Sequence, residues 1–211
     1  MPSVLGTNAL SEVAGAVTDF FEKLAGPDGT SWIAEFKKFL RKEPCWVKTV
    51  GVAISILRLI SGGENIIIRA TSGTKTISSA TNVFTWDIDS DFKNWGLDVP
   101  GEAKLETPVD VHEMVQDGDF KTIFGSLGRE MDDLCLTQEQ VIAFVEDHED
   151  WLRKECFATF FLFKVEGKFF VARVSLDAGE GPDVSVGRFS NDSGWYGDNH
   201  HRMVVPQALE P

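Results

Sequence analysis

Cysteine is scarce in this chain, and no two of the three present, Cys45, Cys135 and Cys156, form a C-x-x-C pair. An odd, sparse set cannot close completely into disulfides, so a cystine-built scaffold is excluded and a reducing compartment is expected. Cys135, set in LCL, and Cys156, opening an apolar run, read as small buried hydrophobes. Long apolar runs are lacking too. The nearest, VKTVGVAISILRLI from Val47 to Ile60, carries Lys48 and Arg58 and is well short of the roughly 20 residues that cross a bilayer, so it reads as a core helix. Met1 to Ala9 has no basic segment leading into an apolar core, so no secretory leader is expected and cytoplasmic residence follows.

Basic residues are outnumbered. With 20 Lys and Arg against 33 Asp and Glu the formal charge is -13, and the deficit is uneven. Met1 to Ile60 holds six acids and seven bases, whereas Trp86 to Asp119 holds ten acids and two lysines. Such a field repels phosphate backbones and anionic lipid heads, so neither nucleic-acid binding through a basic groove nor membrane association is expected.

Complete catalytic signatures are missing as well. There is no G-x-S-x-G, so a nucleophile elbow is not encoded, and Gly125-Ser126-Leu127-Gly128 reads as a helix end. Gly73-Thr74-Lys75-Thr76 lacks the upstream glycine of a phosphate loop. No H-x-x-x-H or H-E-x-x-H pattern supplies a metal pair on a helix. No cofactor is expected.

What is abundant is phenylalanine, 16 residues beside 6 Trp and a single Tyr, which suits a dry, aromatic interior. Helical spacing predicts a first helix over Asn8 to Ala25, with Leu10, Val13, Val17, Phe20, Phe21 and Leu24 on one stripe. A second begins near Thr30 or Ser31, carries Trp32, Ile33, Phe36, Phe39 and Leu40, and ends by Pro44. With Val47 to Ile60 these form a helical amino-terminal segment, residues 1–62. Residues 63–211 then form a second domain, opening on the predicted strand ENIIIRA, Glu64 to Ala70. Ile77 to Val83 is expected as a short helix and Pro108 to Val115 as a half-buried strand. Asp119 caps a short helix, and Thr137-Gln138-Glu139-Gln140 is a capping box that opens a longer one.

The hairpin FATFFLFKVEGKFFVARVSL, Phe157 to Leu176, is the most informative stretch. A two-residue turn at Glu166-Gly167 pairs Val165 with Lys168, Phe163 with Phe170, Phe161 with Ala172 and Thr159 with Val174. Both faces are apolar, since Phe160, Leu162, Phe169 and Val171 lie opposite the Phe161 and Phe163 side. Such a ribbon must be covered twice, by helices or by a neighbouring chain. VSVGRF supplies a third strand and Trp195 to Val205 a fourth. The expected fold is α+β, a carboxy-terminal antiparallel meander packed against helices and preceded by the helical segment.

The candidate sites are fragments. TWDIDSDFKNWGLD places Asp87, Asp89, Asp91 and Asp98 at the one, three, five and twelve positions of a calcium loop, but Phe92 stands where the glycine belongs. An Asx-rich turn is the favoured reading there. His112 beside Glu113, together with Asp198, His200 and Cys135, are the residues to test first for hydrolytic or metal-dependent chemistry. On an extended strand His112 and Glu113 diverge, as do His200 and His201.

GTKTISSATNVFTWDIDSDFKNWGLDV, KTIFGSLG, LCLTQEQVIAFVEDHEDWLR, FATFFLFKVEGKFFVARV and the closing HHRMVVPQ resemble a group of uncharacterised proteins predicted from bacterial genomes. The likeness runs from about Gly73 to Gln207 and implies a bacterial origin. It brings no activity, ligand or fold.

Three functions fit the sequence. The favoured one is a non-enzymatic cytosolic binding or regulatory protein that recognises a protein partner through Trp86, Asp87, Asp89, Asp91, Phe92 and Trp95. An acidic inhibitor of a basic toxin or nuclease is one form of it. The alternatives are a small hydrolytic or metal-dependent enzyme, and a homo-oligomeric structural protein whose second hairpin face is covered by another subunit.

Overall fold

The computed structural model describes residues 17–18, 20–26, 29–42, 55–155, 157–177, 179 and 181–208. The chain divides into two compact units, residues 1–53 and 54–211.

In the first unit, residues 20–25 are helical and α1 spans Gly29–Leu40. Phe20 meets Phe36 at 4.6 Å between ring centroids and Trp32 at 6.4 Å, so aromatic contacts join the two helical stretches. The remainder of the predicted first helix, from Asn8, lies outside the described residues.

The second unit is a mixed, mostly antiparallel seven-stranded sheet with helices on its two faces. Its strands are β1 (Leu57–Leu59), β2 (Ile66–Ile68), β3 (Thr107–Met114), β4 (Ala158–Val165), β5 (Lys168–Asp177), β6 (Gly181–Arg188) and β7 (Arg202–Pro206). The helices are α2 (Asp91–Asn94), α3 (Phe120–Gly125) and α4 (Gln138–Asp147). The fold is α+β, as the alternation patterns indicate.

The β4–β5 hairpin adopts the register that its turn dictates, from Val165 opposite Lys168 through Thr159 opposite Val174. Glu166 and Gly167 have φ of 47° and 77°, the left-handed pair of a type I′ turn whose twist matches the strands. Both faces of the ribbon are sheltered. Phe161 and Phe163 pack with Val141, Phe144 and Val145 of α4, while Phe160, Leu162 and Val171 pack with Phe120, Ile123 and Phe124 of α3. The chain's own helix therefore covers the second face, and no neighbouring subunit is required there.

Two expectations are corrected. The meander stops at three strands, β4-β5-β6, because β7 inserts between β3 and β4, antiparallel to the former and parallel to the latter. Met203, Val204 and Val205 are all buried, so β7 is apolar on both faces and belongs in the centre of the sheet rather than on its rim. The second correction concerns Val47 to Ile60. Residues 47–54 of that run lie outside the described residues, but Leu57–Leu59 form a strand on β3, not a helix.

β1 and β2 act as one interrupted edge strand. Leu57 faces Met114 and Ile66 faces Val109, so four extra residues are accommodated between the two registers. Ser61, 2% exposed, sits in that bulge. Its hydroxyl accepts from the Val111 amide at 2.9 Å, and the Ile60 and Ser61 amides donate to the Val111 carbonyl. A side chain thus satisfies the ladder position that the bulge vacates.

The caps follow the sequence. Asp119 accepts from the Thr122 amide at 2.8 Å. Thr137 and Gln140 exchange both bonds of the capping box at the start of α4. Ile77 to Val83 holds only one short 3-10 turn, Ile77–Ser79.

Candidate functional site

The acidic stretch lies along the free edge of β6. The Trp86 amide donates to the Pro182 carbonyl at 3.2 Å, the Val184 amide to the Asp87 carbonyl at 3.0 Å, and the Asp89 amide to the Val184 carbonyl at 2.9 Å. Ile88 therefore bridges Val184 in parallel. Asp89 carries the ladder one step further with its side chain, one carboxylate oxygen accepting from the Val186 amide at 3.3 Å and the other from the Asp91 amide at 2.9 Å. An exposed sheet edge is a template for aggregation, and this segment closes it.

Several aspartates and aromatics of the stretch are thus committed to the fold. Asp98 accepts from the hydroxyls of Ser78 and Thr76, which hold its carboxyl below the usual range. It is bound there instead of turning toward Asp87, Asp89 and Asp91. Among the described residues no three His, Cys, Asp or Glu side chains gather as a metal site. Phe92 is fully buried, its ring 6.2 Å from that of Phe163. It is therefore a core residue and not a partner-binding one. Trp95 is half-buried against Phe170, with the Arg188 guanidinium 4.6 Å above its ring.

What remains outward is Trp86, 50% exposed, with Asp87 exposed and Asp91 half-buried beside it. Trp86 and Asp87 border a groove of about 440 Å³ lined also by Ser78, Thr81, Phe84, Asp89 and Lys93. Asp183 of β6 adds charge at this edge. Burial first and then the Asp87 carboxylate push its carboxyl up, against the pull of Arg173. Two acids crowding one site create a potential that a cation would relieve.

The catalytic candidates are only partly assembled. His112 and Glu113 face opposite sides of β3, as strand geometry requires. Glu113 meets His200, Nδ1 lying 3.4 Å from its carboxylate, while the Arg58 guanidinium bonds the same oxygen at 2.5 Å. Residues 55 and 87 positions from Glu113 make this cluster, and no local pattern announces it. Asp198 is exposed in a 3-10 turn. Cys135 lines a different groove, of about 560 Å³, with Thr137, Phe163, Lys164 and Glu166. Its thiol donates to the Met131 carbonyl, and burial followed by the charge of Asp132 pushes its pKa up to about 12. A thiol that stays protonated at neutral pH is a packing group, not a nucleophile.

The loop that resembles a phosphate cradle holds a carboxylate from its own chain. Glu139 of α4 accepts from the Ser72 hydroxyl at 3.0 Å and from the Lys75 amide at 3.4 Å. Burial alone would raise the Glu139 carboxyl, yet these donors keep it below its ordinary value.

His201, which diverges from His200 as expected, is a buried polar group. It is 4% exposed, stacked on Phe160 and edge-on to Trp195, with Nδ1 accepting from the Ala158 amide at 3.1 Å. Burial and the charge of Arg153 push its pKa down, and burial does the same to His112. Both rings bind a proton more readily in the unfolded chain, so protonation favours unfolding. Stability is expected to hold above about pH 6.5 and to fall as pH drops through that value toward the depressed folded-state pKa values. Urea midpoints measured between pH 7.5 and pH 5 check this, and the decline should be shallower in His112→Gln.

Compared with family models, curated proteins and solved structures, the chain gives no match.

Proposed function

We propose that this is a non-enzymatic cytosolic binding or regulatory protein that recognises a basic protein partner at the edge formed by Trp86, Asp87 and Asp91, with Trp95 at its margin. The observation that carries the reading is a half-exposed tryptophan held beside the crowded Asp87 and Asp183 carboxylates at a groove. A rigid aromatic anchor next to two neighbouring carboxylates suits a Lys or Arg side chain of a partner, with the acids steering its approach. Hydrogen bonds to β6 and the buried Phe92 keep the surface fixed, so little ordering entropy is lost on binding.

An enzymatic reading has one observation in its favour, the approach of Glu113 to His200. Arg58 already occupies that carboxylate, and the Cys135 thiol is inert, so the binding reading is preferred.

Trp86→Ala combined with Asp87→Asn is expected to weaken the affinity for the captured partner by about 10- to 100-fold, as for a hot-spot residue. Wild-type binding should also weaken with salt. Calorimetry on the purified pair measures both. Unchanged affinity in the double variant, or binding indifferent to salt, would discard the reading.

A further inference from the structure

The far end of the β6 edge gathers positive charge. Arg173 leaves β5 on the face of Val171, crosses β6 and donates to the Val186 carbonyl at 3.2 Å. A Cβ at Gly187 would stand 3.3 Å from the Phe120 ring and 3.9 Å from Arg173 Nε, so any longer side chain there would block the path of the guanidinium. The Phe189 amide donates to the Phe169 carbonyl at 3.2 Å, so the odd residues of β6 pair with β5 and the even ones turn their amides and carbonyls to the free edge. Residues 87 and 89 meet Val184 and Val186 there, and the Arg188 amide lies past the end of that segment. The Arg188 side chain leaves the opposite face and lies over Trp95. Two guanidiniums thus reach one stretch of edge from the two sides of the sheet.

With Ser190 and Asn191 they line a cavity of about 330 Å³ whose free polar groups are donors. The Asn191 carboxamide oxygen is taken by the Ser193 amide and hydroxyl, at 3.1 and 2.9 Å, which leaves its NH2 group. The Val186 and Arg188 carbonyls are taken by Arg173 and by the Asn191 amide. No carboxylate lines the cavity, and neither arginine makes an ion pair among the described residues, in a chain with 33 acids. Asp89 and Asp183 act on Arg173 by charge, yet burial outweighs them and holds its pKa below the ordinary arginine value. Both Asp89 oxygens are committed to the Val186 and Asp91 amides. A half-buried cation short of compensation is destabilising, and an anion beside it offsets that cost.

We propose that this cavity binds the phosphate group of a small phosphate monoester, held between the Arg173 and Arg188 guanidiniums with the Ser190 hydroxyl and Asn191 carboxamide on its remaining oxygens. Donors arriving from both sides of an edge suit a tetrahedral oxyanion better than a flat carboxylate, which one guanidinium fork would satisfy. The organic part has a place as well. A second groove, of about 240 Å³, shares Arg188 and Ser190 with the cavity and is lined by Lys168, Phe169 and Phe189. An aromatic ester would rest against the two phenyl rings, with Lys168 adding positive charge.

The test is calorimetric titration of the full chain with phenyl phosphate, inorganic phosphate and benzoate at about 0.1 M salt. Phenyl phosphate is expected to bind about tenfold more tightly than inorganic phosphate, and benzoate the most weakly of the three. Arg188→Gln should lower the affinity for phenyl phosphate by about tenfold or more. Its thermal midpoint should fall by no more than a few degrees, because Arg188 is exposed and gives up only its contact with Trp95. Arg173→Lys keeps the charge but loses the planar fork and should also lower the affinity by about tenfold. No binding of phenyl phosphate at up to about 10 mM overturns the proposal, as does unchanged affinity in Arg188→Gln. Benzoate bound as tightly as phenyl phosphate would make this a carboxylate site, and inorganic phosphate bound as tightly would leave the ester no role; either result overturns the proposal too. Should Arg173→Lys fail to fold, Arg188→Gln decides the matter alone.

Discussion

Phe160→Ala is expected to cost about 3–5 kcal/mol of folding stability and to lower the thermal midpoint by roughly 10 °C. Phe160 lies in the middle of β4 with none of its surface exposed. Its ring meets Phe120 of α3 edge-on at 5.4 Å, Trp195 at 4.8 Å and His201 in a stack at 5.2 Å. Three elements distant in sequence therefore rest on one side chain, and each would lose dispersion contacts across the cavity that alanine leaves. The hole would sit under α3, which has only six residues and little helical stability apart from its packing. Near-ultraviolet circular dichroism should lose its tryptophan signal at lower urea in the variant. Phe169→Ala, on the same face but half-buried, should cost clearly less. Equal losses at Phe160 and Phe169 would mean that this face is not the closed layer described above.

The same hairpin shows what a linear pattern can reveal. Its register follows from two facts local to the sequence, period-two alternation and a two-residue turn at Glu166-Gly167, and each cross-strand pair is then fixed. Helix caps at Asp119 and Thr137 are equally local. The position of β7 is not. MVV states that the strand is buried on both faces, but whether it lies beside β6 or between β3 and β4 depends on contacts with residues about 40 and 90 positions away. Leu57–Leu59 fails for a related reason, since a short apolar run has no decisive periodicity and β3 chose its state.

Function was harder to read because structure and recognition draw on the same residue types. Phe92 and Trp86 stand six positions apart in one acidic stretch, both with the chemistry of an interface anchor. One is sealed beneath Phe163 and the other is half in solvent. Asp89 and Asp87 divide in the same way, the first completing the β6 ladder with its carboxylate and the second facing out. Sorting them needs the parallel pairing of Ile88 with Val184, a contact across 96 residues. Glu113, Arg58 and His200 likewise meet only because β1 and the turn before β7 flank β3.

The Trp86 surface depends on a buried amide, and removing it should have the second large effect. Gln138, at the first turn of α4 and 5% exposed, accepts from the Ile77 amide at 3.0 Å and donates to the carbonyls of Leu97 and Val99 at 2.8 and 3.2 Å. It thereby fastens both ends of the segment that carries the acidic edge. Gln138→Ala would leave the Ile77 N–H and the Val99 carbonyl without protein partners, whereas the Leu97 carbonyl keeps the Val99 amide; at about 1–3 kcal/mol for a buried orphan, with water reaching Val99, a loss of about 1–3 kcal/mol is expected. Hydrogen exchange should rise first at Ile77 and across residues 77–99, ahead of the sheet, because the segment opens locally before the core does. Gln138→Glu separates the hydrogen bonds from packing, since its shape is nearly the same but an ionised carboxylate would face two carbonyl oxygens. Its folded-state pKa should be raised above the unfolded value of about 4.3, so its stability should be lowest near pH 7 and recover as pH falls toward 5 and a proton restores the donor. That slope is opposite in sign to the one expected from His112 and His201, and urea midpoints of the wild type and the variant at the two pH values would separate them. A Gln138→Glu protein as stable as the wild type at pH 7 would mean that the amide does not hold the segment, and the fixed geometry assigned to Trp86 and Asp87 would lose its support.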